Sequence, residues 1–279
     1  MASRRFQQVD VFAADPLYGN PVAVVVDGEG LTTDEMQTFA RWTNLSETTF
    51  LSAPTADGAD YAVRIFTPDE ELPFAGHPTL GSCHAWLTAG GVPADGDTIV
   101  QECRAGLVRV RRSGASLAFA APPLVRSGPA DADELARLAE VLRVDAVQIV
   151  RAQWVDNGPG WIAAQLADAD SVLAVEPGPL GEWKVGVVGA HPAGAAESFE
   201  VRAFFTKGGQ VAEDPVTGSL NASLAQWMLG GGLAVAPYRV RQGTAMGRRG
   251  IVEIDQPEAD GDVWIGGATV TLIEGTVTL

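Results

Sequence analysis

Apolar residues recur along this chain mostly with period two, in short runs broken by glycine and proline. Residues 9–12, 22–26, 61–66, 99–103, 107–110 and 117–120 read as strands in the first half. Residues 147–150, 161–166, 184–188, 199–205, 238–242, 251–254 and 270–273 read as strands in the second. Helical spacing interrupts this pattern in four places. Residues 33–42 form a predicted outer helix, with Thr32 and Glu35 placed as a capping box, and residues 131–142 form another. Leu80, Cys83, Ala85, Trp86 and Leu87 suit a third helix that stops at Gly90-Gly91. Leu220, Leu224, Trp227 and Met228 suit a fourth that stops at Gly230-Gly231-Gly232.

The third and fourth helices follow similar sequences. Val63-Arg64 and Val201-Arg202 each open an apolar run, cross a polar loop and reach x-Pro-x-x-Gly-Ser, at residues 77–82 and 214–219. In this alignment His77 matches Asp214 and Ser82 matches Ser219. The repeat predicts two pseudosymmetric lobes, residues 1–121 and 122–279, with the boundary at Ala121-Pro122-Pro123. The expected class is α+β. Each lobe is a curved, mostly antiparallel sheet or barrel around a central helix, and the last strand is free to cross back to the first lobe. Hairpins are too many and helices too few for a doubly wound parallel sheet.

Of the 279 residues, 46% are apolar and 19% charged, which is a globular composition. The net charge of −16 repels nucleic acid and anionic membranes, and no apolar run reaches the roughly 18 residues of a membrane span. Cys83 and Cys103 form neither a metal pattern nor a redox pair, so reduced thiols in a cytoplasmic protein are expected. Three separated histidines without ligand spacing argue against a metal site. No nucleotide, flavin or pyridoxal signature is present, so no cofactor is expected.

The candidate chemistry lies at the helix starts and in one strand. Two central helices would offer unpaired N–H groups able to hold a carboxylate, with Ser82 and Ser219 as hydroxyl donors. The same serines also read as simple caps. Glu47 opens the apolar run Thr48-Thr49-Phe50-Leu51. A carboxylate there can be partly desolvated and raised toward a pKa useful for proton transfer. From position alone, a solvated strand-end glutamate is the commoner outcome. His77 and Asp214 could share a site or could each be local helix-start residues. Glu213 and the run Asp69-Glu70-Glu71 read as solvated loop charges.

Four segments together resemble the PhzF phenazine-biosynthesis isomerase family. They are Gly19-Asn20-Pro21-Val22-Ala23-Val24, Asn44-Leu45-Ser46-Glu47-Thr48, residues 74–81 from Phe74 to Gly81, and residues 213–219 from Glu213 to Ser219. The resemblance implies a diaminopimelate epimerase-like fold with the active site between two lobes. It implies cofactor-independent isomerisation of a small acidic metabolite such as trans-2,3-dihydro-3-hydroxyanthranilate. The family's proton-shuttling glutamate falls on Glu47, its histidine on His77 and its aspartate on Asp214. Substrate binding falls on Ser219, Gly76, Gly218 and Thr217. The family pattern also implies a homodimer. Two other readings compete: a non-catalytic binder of small carboxylates, which gains nothing from Glu47, and a two-thiol racemase, which the cysteine positions disfavour.

Overall fold

The computed structural model describes residues 2–13, 15–114, 116–257 and 261–279. Contacts between residues divide the chain into two units, residues 1–120 with 266–279, and residues 121–265.

The first unit contains β1 (Ser3–Val11), β2 (Asn20–Val25), α1 (Thr33–Thr43), β3 (Glu47–Ser52), β4 (Tyr61–Phe66) and β5 (Glu71–Leu72). It continues with α2 (Gly76–Thr88), β6 (Thr98–Cys103), β7 (Gly106–Ser113) and β8 (Ser116–Ala120). The antiparallel ladders are β1–β2, β3–β4, β6–β7 and β7–β8, while β2–β3 and β4–β6 are parallel. The last strand of the chain, β17 (Trp264–Thr278), pairs with both β1 and β8. Eight strands therefore close into a barrel, which removes the exposed edges of an open sheet. The short β5 pairs only along the end of β4.

Helix α1 covers the outside of this barrel. Met36, Phe39 and Ala40 pack on Val25, Phe50 and Phe66. Its start is the expected capping box, with Thr32 and Glu35 bonded reciprocally, and it ends on Asn44 in the left-handed conformation. Helix α2 lies within the ring of strands, packed against β1, β2, β3, β4, β6 and β8. Residues Gly76 to Cys83 are all buried, as a helix without a polar face should be. Its few polar groups are met by the wall. Ser82 donates to Thr49 at 2.8 Å, Thr79 accepts from Gln101 at 3.0 Å, and His84 lies 2.9 Å from both Thr269 and Thr271. Ser82 is thus neither a cap nor a ligand donor; it lies well inside the helix.

The second unit repeats the order. After β9 (Arg126–Pro129) and α3 (Ala132–Leu142) come β10 (Arg151–Asp156), β11 (Trp161–Gln165), α4 (Ala169–Leu173) and β12 (Lys184–Ala190). Then follow β13 (Phe199–Lys207), β14 (Gln210–Glu213), α5 (Gly218–Gly230), β15 (Tyr238–Gln242) and β16 (Gly250–Asp255). The pairings β10–β11, β11–β12, β12–β13, β13–β14, β13–β15 and β15–β16 reproduce those from β1 to β7, parallel steps included. Helix α3 packs Leu138, Val141 and Leu142 over Ile162, Val185 and Val187. Residues 147–150 are not the expected strand. Asp145 N–H donates to the Gln148 side chain at 2.9 Å, which sets a turn of 3₁₀ helix at Ala146–Gln148 and leaves Val147 91% exposed.

Small residues let each central helix approach its wall. A Cβ on Gly81 of α2 would lie 2.3 Å from Val22 Cγ1, and a Cβ on Gly186 of β12 would lie 2.5 Å from Leu220 of α5. Gly81→Ala gains roughly 1 kcal/mol of helix propensity but overpacks a rigid β-branched neighbour. Urea unfolding should show a net loss of about 1–2 kcal/mol, recovered at least in part by adding Val22→Ala. A more stable single variant would contradict this packing.

Candidate active site

Glu47 is the first residue of β3, set opposite Val22 in the parallel ladder with β2. The turn at Asn44 sends the chain from α1 directly into this strand. The side chain is 16% exposed, so the carboxylate is largely withdrawn from water. Its Oε2 atom lies 3.2 Å from Nε2 of His77, the second residue of α2. That distance suits a hydrogen bond, but the two groups are not well aligned for one. On the other side of the ring, Asn20 Nδ2 is 3.3 Å from His77 Nδ1. The neutral ring carries a single N–H, so Nδ1 accepts from the Asn20 amide only in the tautomer with the proton on Nε2.

Asn20 is itself fixed by its surroundings. It is fully buried at the start of β2. Just before it, the Asp10 carboxylate accepts from the N–H groups of Leu17 and Gly19 at 2.7 and 3.2 Å. Gly19 is required here, because a Cβ would lie 2.2 Å from the Val11 carbonyl. His77 is 4% exposed, and burial pushes its pKa from 6.5 down to about 3, against a weaker upward pull from a hydrogen bond to the Pro21 backbone. The ring is therefore neutral at neutral pH.

The second unit assembles the other candidates. Thr217 donates from Oγ1 to Asp214 Oδ2 at 2.7 Å. Gln242, the fully buried last residue of β15, ties the segment together. Its Oε1 accepts from Thr217 N–H at 3.0 Å and Asn221 Nδ2 at 2.8 Å. Its Nε2 donates to Thr217 Oγ1 at 2.9 Å and to the Asp214 carbonyl at 3.1 Å. Ser219 Oγ accepts from Trp161 Nε1 at 3.1 Å, and its carbonyl accepts from Asn157 at 2.9 Å. Both central helices begin without a side-chain cap, at Ala75-Gly76 and Thr217-Gly218. Their first N–H groups are available to an anion.

The structure also corrects the repeat. Arg64 grips Glu71 with two hydrogen bonds of 2.8 Å, and Arg202 grips Glu213 with bonds of 3.0 and 2.8 Å. Glu71 and Glu213 are thus structural anchors rather than solvated charges. Each stands five residues before the first residue of its central helix. The equivalent segments are Glu71-Leu72-Pro73-Phe74-Ala75-Gly76-His77 and Glu213-Asp214-Pro215-Val216-Thr217-Gly218-Ser219. His77 therefore corresponds to Ser219, and Asp214 to Leu72. Asn20, Trp161 and Gln242 were not visible as site-building residues in the sequence, since each is an ordinary residue at a strand end.

The thiols are set against chemistry. Burial pushes Cys83 up to about 12 and also raises Cys103. A thiolate base needs the opposite shift. Both cysteines belong to the first unit, so no thiol is available in the second.

An eight-stranded barrel around a buried helix, repeated in strand order by a second unit, defines the class of fold. Residues 9–275 match the family described as phenazine biosynthesis-like protein. A phenazine biosynthesis protein of the PhzF family from Enterococcus faecalis has a TM-score of 0.80 at 27% identity, with each chain covered in full. The trans-2,3-dihydro-3-hydroxyanthranilate isomerase of Pseudomonas fluorescens is 32% identical over 97% of this chain and 98% of its own. Antisense-enhancing sequence 1 of Schizosaccharomyces pombe is 34% identical over 99% of both chains. The chain belongs to the phenazine biosynthesis-like, or PhzF, family, and it is an isomerase.

The neutral state of His77 has a consequence for stability. Below pH 6.5 the unfolded ring takes up a proton that the folded ring refuses until about pH 3. Stability present above pH 6.5 is thus lost as the pH falls through that window, by up to about 1.4 kcal/mol per pH unit. Denaturant titrations of the wild type and His77→Asn between pH 7 and 4 should show the shallower slope in the variant. Equal slopes would mean that the folded ring is protonated.

Proposed function

We propose that the chain catalyses a cofactor-independent proton shift on a small carboxylate resembling trans-2,3-dihydro-3-hydroxyanthranilate, with Glu47 as the acid/base. The observation that carries this reading is the withdrawn Glu47 carboxylate 3.2 Å from a buried neutral imidazole. A neutral His77 beside Glu47 carries no positive charge, so it does not form the ion pair that would hold that group as a carboxylate.

In this reading Glu47 removes a proton from a saturated carbon beside the substrate's conjugated system. The C–H electron pair enters that system and its double bonds move along. The Glu47 carboxylic acid then returns the proton at a carbon further on. Glu47 finishes as a carboxylate, and no electrons leave the substrate. The open N–H group at Gly76, in the same unit as Glu47, binds the substrate's anionic group. In the second unit Asp214, oriented by Thr217 and Gln242, is placed to accept a further hydrogen bond.

Turnover of trans-2,3-dihydro-3-hydroxyanthranilate in deuterated water, followed by NMR, tests the reading. Wild type should produce an isomer with deuterium confined to the carbons that exchange. Glu47→Gln should be slower by about 10²–10⁴-fold or more while remaining folded. Normal turnover by a folded Gln variant would refute the role of Glu47.

A further inference from the structure

The corrected repeat assigns Glu47 a counterpart. Glu47 is the first residue of β3 and faces Val22 of β2 across a parallel ladder. Lys184 is the first residue of β12 and faces Trp161 of β11 across the equivalent parallel ladder. The two positions also share a face. In β3, Thr49 meets Ser82 of the central helix, so residues 47 and 49 point inward while Phe50 packs under α1. In β12, Val185 and Val187 pack under α3. Gly186 lies against Leu220 of α5, so Lys184 and Gly186 occupy the helix-facing side. Trp161 shares that side and reaches the start of α5, with Nε1 3.1 Å from Ser219 Oγ. Where the first unit sets a carboxylate near the start of its central helix, the second sets an ammonium.

The chain contains only two lysines, Lys184 and Lys207, against 35 acidic residues. Arg64 and Arg202 are held by glutamates. Lys184 is half-buried and flanked by Glu182 and Trp183 before β12 begins.

We propose that Lys184 is a specificity-determining residue of the second unit that binds a small carboxylate alongside Ser219 and the N–H groups at the start of α5. This deepens the isomerase reading and rests on it for the class of ligand, a small carboxylate. An ammonium adds what backbone N–H groups lack, a full charge that distinguishes a carboxylate from its amide.

The probes are 3-hydroxyanthranilate, a stable aromatic analogue, and its uncharged carboxamide. Calorimetry should show Lys184→Gln binding the acid about 10–100-fold more weakly than wild type, the scale of a lost charge-assisted hydrogen bond. Binding of the carboxamide should change less than threefold, and Lys184→Arg should restore most of the affinity for the acid. In protein labelled with ¹³Cε-lysine, the acid should shift the Lys184 resonance and leave that of Lys207 in place. Equal weakening of acid and carboxamide, or an unmoved Lys184 resonance on saturation with the acid, would overturn the proposal. The isomerase reading is judged separately by Glu47→Gln, which should slow turnover by about 10²–10⁴-fold or more yet leave affinity for the acid within threefold. If Lys184→Gln binds like wild type while Glu47→Gln is inactive, only the lysine assignment fails. If wild type binds neither probe, the lysine assignment fails together with the assumed substrate class.

Discussion

A helix buried on every side can leave backbone groups unpaired only at its ends. Helix α2 meets this constraint inside its barrel: its side chains are small or apolar, and its polar groups find partners in the wall. Side chains that could cap its start are absent, since Ala75 occupies the cap position. The same holds for α5, where the hydroxyl of Thr217 is turned to Asp214. Leaving N–H groups open at a buried helix start costs stability unless something anionic completes them. The need to satisfy those donors therefore ties the packing of each unit to binding.

The two units share a scaffold and differ in the side chains it presents. Both carry the paired arginine and glutamate that lock the strand before the central helix, and in both the arginine also lies over a phenylalanine ring, Phe66 or Phe204. From the shared frame the side chains diverge: His77 against Ser219, Leu72 against Asp214, Glu47 against Lys184. Duplicating a stable frame and then varying the residues at helix and strand starts changes the chemistry with little change to the core.

Sequence patterning conveyed the regular elements well where they were long enough to have a period. The strands at Tyr61–Phe66 and Tyr238–Gln242 and the capped helix beginning at Thr33 stand where the pattern put them. Elements of two to six residues with mixed polarity, such as β5, β9, β10, β14 and α4, carry too little pattern to be seen. The repeat itself was legible, but its alignment was not. A shared Gly-Ser pair suggested one register, whereas the ion pairs Arg64–Glu71 and Arg202–Glu213 fix another, five residues away. Glu47 and His77 stood out through their chemical type. The amides of Asn20 and Gln242 did not, because what distinguishes them is complete burial with specific partners, which only the folded chain displays.

The last strand completes the first barrel. Ser3 pairs with Thr278 and Val11 with Thr269, so the two ends of the described chain lie side by side in one ladder. While the protein is being made on a ribosome, β1 must wait for nearly the whole chain to emerge before its second neighbour exists. Until then the partly assembled ring exposes two bare strand edges, at β1 and β8, open to pairing with other nascent chains. The second unit, contained within residues 121–265, carries no such delay and can assemble before the first is sealed. Synthesis from the amino terminus thus runs opposite to the order in which the two halves can be finished.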